Sequence, residues 1–346
     1  MKNFLIYGAS GYTGELVARE AAKRGLKPIL SGRSQNKIEP LAKELGLTFR
    51  TFSLEDKKSL EYTLKEVDFV LHCAGPFSLT SKQMVQACLR LGKHYLDITG
   101  EIAVFEAMAR RDQQAKEANT MIMPGVGFDV VPSDCLALHL KNKLPSATDL
   151  TLAFYGMGKI SHGTRATMTL NAGKGGAIRK DGKIVSVPAA WKTREIDFGA
   201  MKKTAVTIPW GDVSTAFYST GIPNIEVYTV VPEPNLRMMK MSRYIGWLLE
   251  TKLAQDYLQK QIPAGGPDQE ERARGKTYLW GEALDADGDR AEARLTCPEG
   301  YETTVQTALL ICEKILSDDF KTGFQTPANA YGADLILEIE GASRQD

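Results

Sequence analysis

The chain has 346 residues, 43% of them apolar and 25% charged, with 31 Gly and 15 Pro. These values match ordinary globular proteins, exclude collagen-like repeats, coiled coil and disorder, and leave chain enough for two domains. Forty-three Lys and Arg against 42 Asp and Glu leave a charge of +1, too little for non-specific nucleic-acid binding, so no nucleic-acid partner is expected.

Short apolar runs alternate with amphipathic ones over the first 125 residues. Phe4 to Tyr7 reads as a buried strand, and Glu15 to Arg24 as a helix. Strands at 28–31, 48–52, 68–72, 93–97 and 120–123 follow, with helices at 36–45, 59–65, 82–91 and 104–118 between them. Such alternation predicts an α/β fold, a doubly wound parallel sheet with helices on both faces. Ligands of such sheets bind beyond the carboxyl ends of the strands.

After Pro124 the rhythm changes. Ser133 to Lys143 reads as a helix with Ser133 at its N-cap and Pro145 closing it. β-branched runs at 149–155, 183–187, 204–208 and 226–231 predict strands of a second, mixed sheet. A helix is expected over 236–262 with an interruption at Gly246, then a polar loop over 263–274. Strands at 277–285 and 290–296 flank Ala286-Asp287-Gly288-Asp289, a good hairpin turn, and 303–316 is a last amphipathic helix.

Charge is unevenly spread. Residues 151–222 hold ten Lys or Arg against four Asp or Glu, a net of +6, and residues 282–346 hold five against fourteen, a net of −9. The five cysteines, Cys73, Cys88, Cys135, Cys297 and Cys312, form no C-x-x-C pair, so neither a zinc site nor a disulfide framework is predicted. With no signal-peptide pattern and no apolar run long enough to span a bilayer, a cytoplasmic protein is expected.

Gly8-Ala9-Ser10-Gly11-Tyr12-Thr13-Gly14 follows the first strand and opens the first helix. The first glycine permits a tight turn, the second lets backbone approach a pyrophosphate, and the third allows close helix packing. Phosphates then sit on the helix N-terminus, where free N–H groups and the helix dipole favour anions. Gly8, Ser10, Gly11, Tyr12, Thr13 and Gly14 are therefore candidate dinucleotide contacts. The second strand ends Ser31-Gly32-Arg33-Ser34, without the carboxylate that would take a ribose 2′-hydroxyl. Arg33 can pair with a 2′-phosphate, with Ser31 and Ser34 beside it, so NADP (NADPH) is the expected cofactor. Ser53 and Asp56 are placed to line the adenine, and Ala74-Gly75-Pro76-Phe77 to border the nicotinamide ribose and ring.

Two families open in this way. Extended short-chain dehydrogenases catalyse with a Tyr-x-x-x-Lys pair, and Tyr155-Gly156-Met157-Gly158-Lys159 has that spacing. Its two glycines argue against the helical turn the pair requires, so a carbonyl reductase of that type is an alternative only. The remaining motifs resemble the saccharopine dehydrogenase-like family, including its trans-acting enoyl reductase branch. They are Cys73-Ala74-Gly75-Pro76-Phe77, Tyr95-Leu96-Asp97-Ile98-Thr99-Gly100-Glu101, the stretch from Gly125 through Asp129 to Asp134, Ser161-His162-Gly163-Thr164, 296–301 and 323–328. The resemblance implies a Rossmann domain, here residues 1–130 with 300–346, and an inserted α+β mixed-sheet domain, residues 131–299, that shapes the substrate site and dimerises. It also implies an oxidoreductase acting on a small-molecule or carrier-linked acyl substrate, at an activated C=C or C=N bond.

Reduction of such a bond needs a proton donor near the acceptor. Residues after the fifth and sixth strands are placed for this, and Asp129, in a glycine-rich turn, ranks first, with Glu101 and Tyr95 as further candidates. His162, flanked by hydroxyls in a polar loop, is the best placed histidine. Arg165, Arg179 and Arg194 are the arginines available to a carboxylate-bearing substrate, although no clamp spacing is evident. Asn235 to Leu249, NLRMMKMSRYIGWLL, carries three basic and no acidic residues among large apolar ones. Core or homodimer packing is its expected role, with a membrane surface as the alternative. A non-catalytic NADP-binding sensor or lipid-surface scaffold is the competing reading of the whole chain.

Overall fold

The computed structural model describes residues 2–156, 158–171, 173–262 and 265–346. In chain order the first elements are β1 (Phe4–Tyr7), α1 (Tyr12–Lys23), β2 (Ile29–Gly32), α2 (Gln35–Leu45), β3 (Phe49–Thr51) and α3 (Lys57–Leu64). Next come β4 (Phe69–His72), α4 (Phe77–Leu91), β5 (His94–Asp97), α5 (Ile102–Ala109), α6 (Asp112–Glu117) and β6 (Met121–Met123). The middle comprises α7 (Val131–Lys143), β7 (Asp149–Tyr155), α8 (His162–Leu170), β8 (Gly176–Lys180), β9 (Lys183–Val187), β10 (Thr193–Asp197) and β11 (Lys202–Thr207). It continues with α9 (Asp212–Thr220), β12 (Asn224–Thr229), α10 (Glu233–Leu249), α11 (Lys252–Lys260) and α12 (Gln269–Arg274). The chain closes with β13 (Lys276–Leu284), β14 (Arg290–Pro298), α13 (Gly300–Leu316), β15 (Gly323–Phe324), α14 (Pro327–Tyr331) and β16 (Ser343–Gln345).

Two compact units divide these elements: Met1–Asp129 with Tyr301–Ala330, and Val130–Gly300 with Tyr331–Asp346. In the first, seven parallel strands stand in the order β15-β6-β5-β4-β1-β2-β3. Strands β1, β2 and β4 are buried along their whole length, which is why they read as unbroken apolar runs rather than alternating ones. Phe4 stacks on Phe69 across β1 and β4, with centroids 5.0 Å apart. The order reverses between β1 and β4, so their carboxyl ends, at Tyr7 and His72, mark the crevice where a ligand binds.

The second unit holds a mixed sheet, β10-β11-β12-β7-β13-β14-β16, with the β8–β9 hairpin attached to β12. Among the described residues only β7 and β12 pair in parallel; the long β13–β14 hairpin is antiparallel throughout. Helix α7 packs on that hairpin at Gly281, where a Cβ would press to 2.6 Å from Leu140.

The structure departs from the sequence reading in the second half. Helix α7 begins at Val131, and Ser133 donates back to the Val130 carbonyl (3.1 Å) instead of capping. Helix α8 falls where a polar loop was expected around His162, and α9 where no element was assigned: their Thr, Ser and His are weak helix formers, and six of the nine residues of α9 are buried by tertiary packing. The expected 236–262 helix breaks at Thr251, which caps α11, while Gly246 lies inside α10. Asp268 and Glu271 form a capping box that starts α12 inside the expected loop. Of that loop, Pro263 and Ala264 lie outside the described residues, as does Met157 of the Tyr155–Lys159 stretch. Residues 331–346 join the second unit, because β16 pairs with β14.

Candidate active site

Gly8, directly after β1, has φ +90°, a conformation that favours glycine. A Cβ there would lie 2.8 Å from the backbone nitrogen of Ala74, the residue that follows β4 by two, so the two strand ends approach at the switch point. The Gly8 and Ala9 N–H groups both donate to the Ser31 carbonyl (2.8 and 3.0 Å), fixing the turn on β2. A Cβ on Gly14 would overlap the Gly8 carbonyl, so α1 packs onto the turn only because that side chain is absent. Gly11 occupies the N-cap of α1, exposed and without a side-chain cap, leaving the first-turn N–H groups facing outward for an anion.

Arg33 follows β2, exposed, and makes no ion pair or side-chain hydrogen bond among the described residues. Its charge reaches the neighbouring Tyr7, whose phenol is pushed up to about 12 by burial, opposed by Arg33. Ser10 and Ser34 stand part-exposed at the same strand ends. Ser31 is a different case: it is completely buried and acts through its carbonyl, so its expected hydroxyl contact with the phosphate is replaced by a hold on the glycine turn. Ser53 is part-exposed, with its Oγ accepting from the Glu55 N–H (3.3 Å). Asp56 is the N-cap of α3, bound to the N–H and hydroxyl of Ser59 (3.2 and 2.6 Å), rather than an adenine contact. Together the glycine cradle, the free N-terminus of α1 and the unpaired Arg33 fit a dinucleotide bearing a 2′-phosphate. Tyr12 lies edge-on to Tyr301, 5.0 Å between centroids, so α13 buttresses the start of α1.

The turn from Ala74 to Phe77 is held on three sides. Thr80 donates to the Ala74 and Pro76 carbonyls (2.7 and 3.1 Å) and bonds the His72 Nε2 (3.0 Å). His72 is fully buried, stacked 5.4 Å from Tyr7, and burial pulls its pKa down to about 3, so it stays neutral. Phe77 packs edge-on to His72 at 5.5 Å and rests on Gly75, largely out of solvent. Thr80 carried no sequence signal, because a lone threonine in an amphipathic helix looks like any other.

Glu101 does not have the free carboxylate a proton donor needs. Its two oxygens accept the Phe77 and Ser78 N–H groups (2.7 and 3.2 Å), capping α4 from 24 residues away. Tyr95 is likewise corrected: it is completely buried and its hydroxyl donates to Asp97 (2.7 Å). Asp97 also accepts from the N–H groups of Thr99 and Gly125 (both 3.0 Å), tying β5 to the loop after β6. Burial raises its pKa to about 6 against those hydrogen bonds.

Asp129 is placed differently. Its carboxyl lies against Gly100, where a Cβ would come within 2.7 Å of the Asp129 Oδ2, and it makes no hydrogen bond or ion pair among the described residues. Half-exposed and with no compensating donor, it is pushed by desolvation up to about 7. A Gly127–Thr304 contact and the Phe128 N–H to Thr304 Oγ1 bond (3.0 Å) fix the turn that carries it. A carboxyl that holds its proton near neutrality can donate it.

His162 stands in the second unit as the exposed first residue of α8, behind the N-cap Ser161. Tyr155 ends strand β7 and Lys159 pairs with Glu271 (2.6 Å), so the Tyr-x-x-x-Lys spacing does not fall on a helix. Arg179 is buried, donating to the Val213 and Gly182 carbonyls (2.8 and 2.7 Å), and Arg194 forks onto Glu282 (2.7 and 3.0 Å). Arg165 donates to the Ile160 carbonyl (3.1 Å). The basic middle thus spends Arg179 and Arg194 on its own fold rather than on a carboxylate-bearing ligand.

Residues 4–123 match the family model described as saccharopine dehydrogenase NADP binding domain. A saccharopine dehydrogenase-like oxidoreductase of Mus musculus is 26% identical over 219 residues, 57% of this chain and 46% of that protein. A trans-acting enoyl reductase of Mycobacterium bovis is 27% identical over 180 residues, 48% of this chain and 43% of that protein. The chain therefore spans about half the length of the curated relatives it matches. Among solved structures, the saccharopine dehydrogenase (L-Glu forming) of Saccharomyces cerevisiae matches the fold with a TM-score of 0.71, at 13% identity over 100% of both chains.

Proposed function

We propose, from the match of residues 4–123 to the saccharopine dehydrogenase NADP binding domain model, that this chain is an NADPH-dependent reductase of an activated double bond. The C=C bond of an acyl substrate is favoured over C=N. The observation that carries the reading is the cradle at the switch point: Gly8 makes the tight turn, Gly14 lets α1 pack onto it, Gly11 leaves the N-terminus of α1 without a side-chain cap for a pyrophosphate, and Arg33 stands unpaired where a 2′-phosphate would lie.

NADPH, when bound, supplies a hydride. The chain's own residues hold and orient: Ser31 fixes the glycine turn, and Thr80 and Glu101 fix the turn at 74–78. Asp129 carries the proton that completes saturation of the bond. Support for that role lies in its half-buried, unpartnered carboxyl with a pKa near 7. The acyl preference rests on the name of the Mycobacterium bovis relative and on the absence of a free arginine pair from Arg179 and Arg194, which a dicarboxylate substrate would need.

The reading is tested by following NADPH oxidation with a 2-enoyl thioester and, separately, with a cyclic imine. Turnover of the enoyl compound, reduced roughly 10²- to 10⁴-fold in Asp129→Asn, is the expected result. Turnover of the imine alone refutes the C=C preference, and undiminished turnover in the variant removes Asp129 from the reaction.

A further inference from the structure

Helix α10 presents its largest side chains outward. At 100° per residue, one half of its circumference carries Met238, Met241, Tyr244, Ile245, Trp247 and Leu248, each between 44% and 82% exposed. Helix α11 extends the patch with Leu253 and Tyr257, 85% and 64% exposed and one turn apart. The sequence pattern suggested core or homodimer packing, and the structure leaves these side chains outside the chain's own core. The helix is attached by its other side, where Gly246 is buried against the Gly173 carbonyl and Arg243 donates to the Ala189 (2.7 Å) and Ala190 carbonyls. Single exposed apolar residues are unremarkable, but eight on two consecutive helices form a patch that marks an interaction surface.

Charge decides the occupant. From Asn235 to Leu249 the charged residues are Arg237, Lys240 and Arg243, with no acidic one. Arg237 shares its charge with Glu233 (3.2 Å), whereas Lys240 makes no ion pair among the described residues. Beside the helix, Lys174 and Tyr244 border a cavity of about 330 Å³, which places a second cation next to the apolar arc, while Arg243 is taken up by the Ala189 and Ala190 carbonyls. A second copy meeting this face through a two-fold axis would set the same cations against each other. An anionic lipid surface pairs with them instead, and Trp and Tyr are the side chains suited to its polar–apolar boundary.

We propose that α10 and α11 lie in the plane of an anionic lipid surface. Met238, Met241, Tyr244, Trp247 and Leu248 enter the acyl boundary, and Lys240 and Lys174 meet the headgroup phosphates. This goes beyond the reductase reading and stands independently of it, since no residue of the cofactor cradle takes part.

The test is flotation of the full chain with phosphatidylcholine vesicles, with and without phosphatidylserine. Co-flotation with the anionic vesicles is expected, falling roughly tenfold on neutral ones. The double variant Tyr244→Ser, Trp247→Ser is expected to lose at least about tenfold in binding, and Lys240→Glu roughly five- to tenfold, both with NADPH binding unchanged. Absence of co-flotation overturns the proposal, as does equal flotation of the double variant. A lipid-free dimer in sedimentation that the double variant abolishes overturns it in favour of a second copy.

Discussion

Asp129, part-exposed, and Asp97, fully buried, both have raised pKa values, yet their partners set them apart. Asp97 is hydrogen-bonded by Tyr95, Thr99 and Gly125, whereas Asp129 lies against Gly100 and makes no hydrogen bond or ion pair among the described residues. Since the Asp129 carboxyl must be protonated to donate, the reductase rate is expected to fall as pH rises through about 7, and Asp129→Asn is expected to flatten that limb. A pH profile of kcat reads this directly; an unchanged limb in the variant assigns it to another group. For stability the sign is opposite to that of a salt-bridged carboxylate. The folded pKa of Asp97, about 6, exceeds its unfolded value of about 3.9, so the native state binds the proton more tightly. That contribution is full below about pH 4 and is lost as pH rises through about 6. Urea melts at pH 5 and 8 on Asp97→Asn should show a smaller pH dependence than wild type. Asp129 was legible in the sequence from its glycine-rich turn, but its isolation was not, because that depends on Gly100, 29 positions earlier. Glu101 was legible as a polar residue after β5, but its capping role was not, because the N–H groups it caps lie on α4.

At the level of elements, the first unit follows from its sequence because the signals are local and repeated. Strands β1 and β4 are short, largely apolar runs alternating with amphipathic helices, and the glycine spacing names the turn. Gly14→Ala is expected to displace α1 from the turn, since the added carbon overlaps the Gly8 carbonyl; loss of NADPH binding with residual folding, seen by circular dichroism, checks this. Glu101→Gln keeps one acceptor oxygen, sets an NH2 donor against the other backbone N–H and removes the charge at the N-terminus of α4, costing about 1–3 kcal/mol. Its expected signature is a modest drop in Tm with a raised KM for NADPH, whereas a loss of kcat alone argues for direct proton transfer. In the second unit the same logic was weaker. Strands β7 and β9 fall at the expected residues, but α9 is a helix of Val, Ser and Thr that only burial of its inner face stabilises. The two-residue β15 is set by pairing with β6 and could not be read from two residues.

For the whole molecule, the chain leaves the first unit at Asp129, returns to it at Tyr301 and ends in the second. The final crossing rests on β16 and on Leu335, Ile336 and Ile339, all buried, at about 1.5–3 kcal/mol each. Truncation after Ala330 is therefore expected to leave NADPH binding intact while lowering Tm and exposing the β13–β14 hairpin to protease. Loss of NADPH binding in that truncation would contradict the division into units. The near-neutral total charge also resolves on this scale: Arg33 is kept free at the cradle, while Arg179 and Arg194 are bound within the second unit. The central claim is that this fold holds NADPH through Arg33, and thermal unfolding with each cofactor tests it most directly. At about 100 times its Kd, NADPH should stabilise the wild type by about 2.7 kcal/mol, a shift of several degrees. NADH at the same concentration should shift it much less, and Arg33→Ala should erase the difference. Equal shifts by both cofactors, or a preference that survives Arg33→Ala, would contradict the account.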